Sequence, residues 1–372
     1  MKVALDVSAV PTKIAGAGRY IAEVAARLPG EGVDTTLVTR RDDASRWRER
    51  APRATIAPLV PNARAPRLVY EALRLGSSPE ARGVDVWHSP HYTMPHRAKT
   101  PVVVTVHDLT LFTHPEWHER TKVTFFQRAM RYAARHAAAL LCVSDFTARE
   151  LREVLAPSVP ILVAPLGVDH RRFHTDASAD AALFASAPLN VQAPYLLFVG
   201  TLEPRKGLDV LLAAFGVLAT SEPDLELWIV GQMGWHTGVV HEQLRTHPYA
   251  SRICQMGFVD DVLLPSLYRH ARVVLYPSRG EGFGLPVLEA MACGATVVTS
   301  RGTVMAEVAG DGAVLTRAGD VDELAGTVAT LLTEADVTRA ARAVRAVAAA
   351  ALYSWERTMT VHLEAYQVAC QS

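Results

Sequence analysis

Short apolar runs rich in β-branched residues alternate with longer stretches of helical periodicity along almost the whole chain. This alternation is typical of βαβ units, in which helices connect the strands of a parallel sheet, and it predicts the α/β class. The first half has predicted strands at residues 2–7, 35–39, 84–88, 102–107, 140–144 and 161–164, and helices at 18–28, 121–136 and 146–155. The second half has predicted strands at 195–200, 226–230, 252–256, 273–277, 296–299 and 313–315, and helices at 208–219, 286–292 and 321–333.

The element pattern breaks once, between residues 174 and 193, where Ala, Ser, Pro and Asp are frequent and only a short helical stretch at 179–184 is indicated. We therefore expect residues 174–193 to be a linker between a Rossmann-like domain at 1–173 and a second one at 194–352. A chain of 372 residues is long enough for two hydrophobic cores. The C-terminal residues 354–368 have the periodicity of one more amphipathic helix.

Composition narrows the class of protein further. The formal net charge is zero, which removes the usual electrostatic argument for a nucleic-acid binder. The four cysteines have no paired spacing, and no run approaches the ~20 apolar residues that span a bilayer. The start of the chain lacks the apolar core of a signal peptide. We expect a cytoplasmic protein that is neither secreted nor integral to a membrane.

The most informative stretch is residues 278–294, Ser-Arg-Gly-Glu-Gly-Phe-Gly-Leu-Pro-Val-Leu-Glu-Ala-Met-Ala-Cys-Gly. It predicts a turn that contains Glu281, then a helix with Pro286 at its first position, where a missing N–H costs nothing. A helix N-terminus flanked by glycines presents N–H groups to an anion, and Glu281 and Glu289 can accept hydrogen bonds from hydroxyls. This suits a sugar diphosphate better than the alternative of a structural turn with solvated glutamates.

A second candidate segment, residues 198–208, follows a predicted strand and opens a helix. It places Arg205 and Lys206 at the carboxyl end of a parallel strand, where open α/β sheets bind ligands. Two cations there can neutralise a diphosphate, although two ordinary surface cations are the alternative. We expect replacement of Lys206 to lower activity and to leave stability almost unchanged, since a solvated ion pair contributes little.

The first predicted strand leads through Gly16 and Gly18 into a helix, and small residues there let backbone amides approach a phosphate. The match to the dinucleotide-binding pattern is incomplete, because Ile21 replaces the third glycine. The second strand also ends in Arg40 and Arg41 rather than in an acidic ligand for a ribose. NAD is therefore disfavoured as a cofactor, and NADP is only a weak alternative.

Two histidines lie at predicted strand ends. His107, followed by Asp108, comes at the end of the strand at 102–107, and we interpret it as a functional residue at the ligand-binding edge. His88 occupies a similar strand end, but we interpret it as a hydrogen-bonded structural group.

The triplet Asp320-Val-Asp322 has the spacing of a metal-binding DxD motif, but Glu323 and an apolar-periodic helix follow it. Asp320 at the N-cap with Glu323 at the third helical position is a capping-box arrangement, which we take as structural. Other metal-ligand spacings are not convincing, so no metal site is expected.

Residues 119–135 have the pattern of a basic amphipathic helix with aromatic residues, and its cations include Lys122, Arg128, Arg131 and Arg135. Such a helix can lie at an anionic membrane surface. A solvated cationic face over an ordinary core stripe is the alternative.

At these motifs the chain resembles glycosyltransferase family 4, the retaining transferases of the GT-B fold. The resemblance covers essentially the whole length, and its most specific element is the E-x7-E pattern met by Glu281 and Glu289. The segments 200–207 and 143–146 match as well. The opening residues 5–20 and the segment 107–109 are most similar to bacterial mannosyltransferases of polysaccharide assembly.

The resemblance implies two Rossmann-like domains facing each other across a cleft, with residues 353–372 crossing back to the first domain. It implies that Arg205 and Lys206 bind the donor diphosphate, that Glu281 holds the transferred sugar, and that His107 lies near its reacting face. The implied donor-binding residues are Gly16, Gly18, Gly200, Phe258, Val259, Gly282, Phe283, Gly284, Leu285 and Glu289. Among them Glu289 would accept hydrogen bonds from the ribose.

The implied activity is transfer of a hexose from a nucleotide sugar to a glycan or lipid-linked acceptor without a metal or other cofactor. GDP-mannose is the expected donor, and UDP-, dTDP- or ADP-sugars are alternatives. Peripheral attachment to the inner membrane face is expected if the acceptor is lipid-linked. The rival functions are a GT-B nucleotide-sugar epimerase, a pyridoxal-phosphate phosphorylase and a non-enzymatic nucleotide-binding module.

Overall fold

The computed structural model describes residues 1–12, 14, 16–78, 83–96, 98–186, 193–234 and 238–372. These residues form two compact units. The first unit consists of Met1–Gly167 together with Trp355–Ser372, and the second unit consists of Val168–Ser354. Each unit contains its own parallel sheet and the helices that connect its strands, so the predicted α/β class is confirmed.

The sheet of the first unit has seven strands in the order β3-β2-β1-β4-β5-β6-β7, and every pairing is parallel. The strands are β1 (Lys2–Asp6), β2 (Asp34–Arg40), β3 (Thr55–Val60), β4 (Val86–Ser89), β5 (Val102–Val106), β6 (Ala139–Cys142) and β7 (Ile161–Val163). In the register, Val3 of β1 lies opposite Thr35 on one side and Val86 on the other. After β3, the polypeptide returns to the free side of β1, where β4 pairs, and the remaining strands are added in the opposite direction. The topological switch point of this sheet therefore lies between β1 and β4.

The described helices of the first unit follow the strands in the order expected for βαβ units. They are α1 (Ala17–Arg27), α2 (Ala44–Arg50), α3 (Arg64–Leu73), α4 (Thr110–Thr113), α5 (Arg120–His136), α6 (Asp145–Leu155) and, from the end of the chain, α15 (Trp355–Gln371). Strand β5 shows why the core lies at the sheet. All five of its residues are buried, as is typical of a parallel strand that is covered on both faces.

The sheet of the second unit has six parallel strands in the order β10-β9-β8-β11-β12-β13. They are β8 (Tyr195–Val199), β9 (Glu226–Val230), β10 (Ile253–Gly257), β11 (Val273–Tyr276), β12 (Val297–Arg301) and β13 (Val314–Arg317). Leu197 of β8 lies opposite Trp228 on one side and Val274 on the other. This is the strand order of the doubly wound nucleotide-binding fold, with its topological switch point between β8 and β11.

The described helices of the second unit are α7 (Asp180–Ser186), α8 (Leu208–Leu218), α9 (Gly238–Thr246), α10 (Leu264–His270), α11 (Leu285–Ala292), α12 (Val304–Ala309), α13 (Val321–Leu332) and α14 (Asp336–Ala350). A 3-10 turn at Pro204–Lys206 precedes α8. Within the described residues, no helix combines the length and the apolar character needed to cross a bilayer.

The boundary between the units differs from the predicted one. The first unit ends at Gly167, and residues 168–186 belong to the second unit instead of forming a linker from residue 174. Asp180 of α7 explains this, because its buried carboxylate accepts hydrogen bonds from Ser266 and Arg269 of α10 at 2.6 and 2.8 Å. The rest of the predicted linker, residues 187–192, lies outside the described residues.

Candidate functional site

Two segments of the second unit meet at the topological switch point of its sheet. One leaves the carboxyl end of β8 and contains Arg205 and Lys206, and the other leaves the carboxyl end of β11 and contains Glu281. Neighbouring strands β8 and β11 are far apart in sequence but hydrogen-bonded in the sheet. The crevice outside the carboxyl ends of such strands is where open α/β sheets bind ligands.

The Glu281 carboxylate lies between the two cations. Its Oε2 atom is 2.6 Å from a guanidinium nitrogen of Arg205, and its Oε1 atom forms an ion pair with the Lys206 ammonium. The Tyr276 hydroxyl donates to the Glu281 Oε1 atom at 2.8 Å and accepts from Lys206 at 2.5 Å. A second carboxylate, Glu203, accepts from Arg205 Nε at 2.8 Å. The predicted residues Arg205, Lys206 and Glu281 are therefore in direct contact.

Burial makes these charges unusually dependent on one another. The Lys206 and Glu281 side chains are 10% and 9% exposed. Burial alone would raise the pKa of Glu281, but Arg205 and Lys206 lower that pKa to about 2. Burial lowers the pKa of Lys206 and raises the pKa of Glu203, and in both cases the neighbouring opposite charges counteract the shift. The site contains two cations and two carboxylates, which balance each other.

Backbone contacts fix the two segments against each other. Arg205 donates from its guanidinium to the Gly280 carbonyl at 2.9 Å, while the Arg205 carbonyl accepts from the Arg279 amide at 2.8 Å. The Arg279 side chain also forms a bidentate pair with Asp209 of α8, at 2.6 and 2.8 Å. The sequence analysis missed this pair, because Arg279 and Asp209 become neighbours only at the switch point.

Gly207 shapes the turn that carries the cations. It is the N-cap of α8 with φ +72°, in the left-handed region that favours glycine. A Cβ atom there would also collide with the carbonyl oxygen of Pro277, which follows β11. The turn therefore depends on glycine for both its backbone conformation and its close approach to the second segment.

The helix α11 begins at Leu285, one residue before the predicted start at Pro286. Gly284 is its N-cap with φ +103°, and Pro286 stands in its first turn. The predicted donor-binding residues Gly282, Phe283 and Gly284 are buried at this end, while Leu285 is partly exposed. Glu289 lies on the second turn, where the Tyr268 hydroxyl donates to its Oε2 atom at 3.2 Å. Tyr268 gave no signal in the sequence beyond that of a core aromatic residue.

The remaining predicted residues of the second unit lie at neighbouring strand ends. Gly200 follows β8, and Phe258 and Val259 follow β10. Phe258 is 52% exposed, and Met233, which follows β9, is 44% exposed. Exposed large apolar side chains at the ligand-binding edge are suited to a flat aromatic ligand. Met233 was missed, because a single Met after a strand carries no distinctive pattern.

In the first unit, Gly16 is the N-cap of α1 with φ +52°. Gly18 is buried, and a Cβ atom there would meet Val10, Pro11 and Ile14 at ordinary contact distance. Ala15, which belongs to the same predicted segment, lies outside the described residues. The left-handed backbone thus gives Gly16 a conformational reason to be glycine, and the structure gives Gly18 no such reason.

His107 is buried just beyond β5. Its Nε2 atom lies 2.8 Å from the Pro90 carbonyl, which can only accept, so Nε2 carries the proton and Nδ1 is an acceptor. Burial lowers the pKa of His107. Its ring contacts Tyr20 edge to face, with 5.2 Å between the ring centroids. His107 is therefore a neutral imidazole held in one tautomer.

His88 lies in a different environment. It is fully buried in β4 and hydrogen-bonds Thr105 and Tyr366, each at 2.8 Å. Burial lowers its pKa well below the usual value for histidine. The interpretation of His88 as a hydrogen-bonded structural group agrees with these contacts.

Asp320 caps α13, since its side chain accepts from the Glu323 amide at 2.9 Å. In a capping box the Glu323 carboxylate would also accept from the Asp320 amide. Here it accepts from the Arg317 amide instead, at 3.0 Å. Among the residues that the structure describes, no three His, Cys, Asp or Glu side chains form a group suited to a metal ion.

The predicted basic helix corresponds to α5. Arg128, Arg131 and Arg135 are exposed on it, together with Phe125 at 38% exposure. Lys122 differs from these residues, because it is partly buried and pairs with Glu119 at 3.0 Å. The exposed cationic row therefore consists of arginines.

The two parallel sheets define a pair of Rossmann-like units of the GT-B class, and comparison with known proteins identifies the family. A model described as glycosyltransferase family 4 matches residues 14–172, and one described as glycosyl transferases group 1 matches residues 193–334. The chain is similar to O-antigen chain mannosyltransferase B of Escherichia coli, at 32% identity over 76% of this chain and 74% of that protein.

The chain is also similar to the D-inositol 3-phosphate glycosyltransferase of Acidothermus cellulolyticus, at 30% identity over 96% of this chain and 88% of that protein. Among solved structures, sucrose-phosphate synthase from Thermosynechococcus elongatus matches with a TM-score of 0.80 at 20% identity, and the match covers 100% of both chains. This chain belongs to glycosyltransferase family 4, and it is a glycosyltransferase with the GT-B fold.

Proposed function

We propose that the chain transfers mannose from GDP-mannose to a glycan or lipid-linked acceptor, with retention of configuration and without a metal ion. The observation that carries the chemical part of this proposal is the contact of Arg205 and Lys206 with Glu281 at the switch point of the second sheet. The second unit binds the nucleotide sugar in this proposal, and the first unit binds the acceptor.

Arg205 and Lys206 bind the donor diphosphate. Cleavage of the bond between the sugar and the phosphate leaves positive charge on the anomeric carbon and negative charge on the departing diphosphate. Fixed cations therefore stabilise the transition state more than the ground state. Because both side chains are largely buried, their charges act in a medium less polar than water.

In a retaining transfer, the acceptor hydroxyl attacks the anomeric carbon from the face that the diphosphate leaves. The new bond joins the acceptor oxygen to the sugar, and the departing diphosphate takes the hydroxyl proton. No general base of the protein is needed. Glu281 and the backbone of residues 282–284 hold the transferred sugar. His107, a neutral imidazole, lies near the reacting face of the sugar, and Gly16 and Gly18 lie near the phosphate.

The nucleoside part of the donor binds at the edge formed by β8, β9 and β10. Glu289 accepts hydrogen bonds from the ribose, and the base lies beside Phe258 and Val259. The exposed Met233 supports an apolar position for the base on the neighbouring strand end. Gly200 and Leu285 border the same ligand.

The choice of mannose is supported by the names of relatives, and the choice of GDP rests on the resemblance to bacterial mannosyltransferases. A protein named O-antigen chain mannosyltransferase B is 32% identical to this chain, and a phosphatidyl-myo-inositol mannosyltransferase of Mycolicibacterium smegmatis is 31% identical. A thermal-shift panel with GDP, UDP, dTDP and ADP tests the base, since a ligand at a hundred times its dissociation constant stabilises by roughly 2.7 kcal/mol. Stabilisation by UDP or dTDP but not by GDP would contradict the proposed donor.

Incubation of the purified protein with the donor alone separates transfer from epimerisation. A new nucleotide sugar formed without an acceptor indicates an epimerase, whereas transfer requires the acceptor. The retention of configuration is tested on the product by the anomeric coupling in NMR spectra.

The row of arginines on α5 supports peripheral attachment to the inner membrane face. Three exposed cations and Phe125 on one helix are the composition that binds anionic lipid surfaces. Co-sedimentation with vesicles should rise with their anionic lipid content and should fall in the triple variant R128A/R131A/R135A. The control triple variant, which removes the same charge from the same unit, is R48A/R50A/R53A. Equal effects of the two triple variants would contradict this attachment site.

A further inference from the structure

Five buried side chains of the first unit form one continuous chain of hydrogen bonds. The contacts are Tyr366 Oη to His88 Nδ1 at 2.8 Å, His88 Nε2 to Thr105 Oγ1 at 2.8 Å, Thr105 Oγ1 to Tyr20 Oη at 2.9 Å, and Tyr20 Oη to His362 Nε2 at 2.7 Å. Four of these side chains are fully buried and Thr105 is 1% exposed. This chain of hydrogen bonds joins α15, the last helix of the sequence, to α1, β4 and β5.

The proton positions can be assigned one after another, starting from His362 at one end of the hydrogen-bond chain. His362 Nδ1 lies 2.8 Å from the Thr358 carbonyl, and a carbonyl can only accept. Nδ1 therefore carries a proton. Burial lowers the pKa of His362 to about 4, so the ring is neutral at pH 7 and its Nε2 atom is an acceptor. The Tyr20 hydroxyl must then donate to His362.

The remaining protons follow in order, because each hydroxyl has one hydrogen. Tyr20 has used its own, so the Thr105 hydroxyl donates to the Tyr20 oxygen. Thr105 must in turn accept from His88, which places the His88 proton on Nε2. His88 Nδ1 is then an acceptor, and Tyr366 donates to it. Every hydrogen bond points in the same direction, and the two histidines have opposite tautomers.

Tyr20, next to one end of this hydrogen-bond chain, lies beside the first-unit residues Gly16 and His107, to which we assign roles in sugar transfer. Tyr20 stands in the first turn of α1, whose N-cap is Gly16. Its ring also contacts the ring of His107 edge to face. An acceptor nitrogen at His362 holds the Tyr20 hydroxyl in one orientation, so the position of the Tyr20 ring depends on α15. Tyr366 lies at the opposite end of the chain, two hydrogen-bonded groups away from Tyr20.

We propose that Tyr20 and His362 are positioning residues for sugar transfer, which hold the start of α1 and the ring of His107 in place through this one-directional chain. The inference rests on the proposed role of Gly16 and His107 at the reacting sugar. Buried networks in which every donor and acceptor is paired are rigid, and that rigidity is what a positioning role needs.

The test compares two substitutions that each remove one buried hydroxyl from the same chain. Tyr20→Phe removes the hydrogen bonds to Thr105 and His362, and Tyr366→Phe removes the hydrogen bond to His88 at the far end. Both should lower the melting temperature, and Tyr20→Phe should lower it more because it removes two hydrogen bonds instead of one. At a temperature where both variants are folded, Tyr20→Phe should lose about tenfold or more in kcat, and Tyr366→Phe should stay within about threefold of the parent. Equal kcat losses would overturn the proposal.

His362 offers a rescue experiment. Gln at this position can place an amide oxygen where Nε2 accepts, whereas Met fills the space without an acceptor. His362→Met should lose kcat as Tyr20→Phe does, and His362→Gln should recover most of it. A Gln variant as impaired as the Met variant would contradict the role of the acceptor atom.

The proton order has its own measurement. Nitrogen-15 spectra of the histidine side chains should show His362 as the Nδ1–H tautomer and His88 as the Nε2–H tautomer, both neutral at pH 7. The same tautomer in both rings, or a protonated ring, would overturn the proposed order. If the parent transfers no sugar from any nucleotide sugar, the proposed function fails, whereas an active parent with equivalent Tyr20→Phe and Tyr366→Phe variants refutes this inference alone.

Discussion

The Lys206 ammonium forms a buried ion pair with the Glu281 carboxylate, and the Tyr276 hydroxyl contacts both groups. The sequence analysis treated Lys206 as a solvated cation beside a helix N-terminus, and this was wrong. Lys206 as a whole residue is only 8% exposed. A charge that is buried against its partner contributes to the fold as well as to any ligand site, so its removal has two consequences.

Replacement of Lys206 should therefore reduce both activity and stability. Lys206→Ala should lower the rate of transfer on the order of a hundredfold, because one cation that we propose stabilises the leaving diphosphate is lost. The free energy of unfolding should fall by about 2 kcal/mol or more, since Glu281 is left buried with one cation fewer. Steady-state transfer and urea unfolding measure the two effects, and the exposed Arg345→Ala is the control.

Metal independence is tested in the same assay. The parent and the variants are measured with and without EDTA, and the activity of the parent should survive. If Lys206→Ala stays within about threefold of the parent while EDTA abolishes turnover, a metal neutralises the diphosphate and the proposed role of Lys206 is wrong.

Gly207→Ala should destabilise the second unit by about 2 kcal/mol or more. Its φ of +72° is costly for any residue with a Cβ atom, and that atom would collide with the Pro277 carbonyl oxygen. Gly326, exposed within α13 with open space around it, is the matched control. Gly326→Ala should stabilise by about 0.5–1 kcal/mol, because alanine favours a helix interior. Urea unfolding that ranks the two variants the other way would contradict this account of the turn.

The sequence predicted the central strands well, because buried parallel strands are continuous apolar runs. Strand β5, Val102–Val106, is the clearest example. Strand β3, Thr55–Val60, was missed, since it lies at the edge of the sheet, is only partly buried and contains Pro58. Helix α7 was interpreted as part of a linker because nothing in the sequence indicates that Asp180 is buried against Arg269.

The candidate site, like the fold, could be predicted from the sequence only in part. Arg205, Lys206 and Glu281 could be selected from the sequence because each follows a predicted strand, and strand ends converge at one edge of a parallel sheet. Their mutual ion pairs could not be predicted, because they depend on β8 and β11 being neighbours. Tyr276 and Glu203 were missed for the same reason, since an aromatic strand residue and a turn glutamate are common in any α/β protein.

Tyr268→Phe should weaken binding of the nucleotide through Glu289. The Tyr268 hydroxyl donates to Glu289 Oε2, which orients the carboxylate that we propose accepts from the ribose. The loss of one hydrogen bond to a carboxylate should raise the dissociation constant of the nucleoside diphosphate by about tenfold. The analogue without the ribose 2′- and 3′-hydroxyls should be affected less.

Tyr195→Phe is the control for this comparison, because it removes a buried hydroxyl of the same unit that donates to the Leu267 carbonyl at 2.9 Å. Titration calorimetry with both nucleotides measures the effect. An equal loss of affinity for the nucleotide and its dideoxy analogue would separate Tyr268 from the recognition of the ribose.

The last prediction concerns Glu71, whose carboxylate in the first unit accepts from Ser8 Oγ at 3.0 Å and lies 3.2 Å from Arg67. Burial and the charge of Asp6 raise the pKa of Glu71 to about 8, from an ordinary value of 4.5. The folded state then holds a proton that the unfolded chain has released. The contribution of this group to the free energy of unfolding is fully present below pH 4.5. It falls by up to about 1.4 kcal/mol per pH unit as the pH rises, and it is lost above about pH 8.

Glu71→Gln, which keeps an acceptor for Ser8 but cannot ionise, should flatten this decline. Urea unfolding between pH 5 and pH 8, followed by hydrogen exchange of peptides from β1 and β4, reports on the first unit alone. The exposed Glu31→Gln is the control, and a decline as steep in Glu71→Gln as in Glu31→Gln would show that the proton is bound elsewhere.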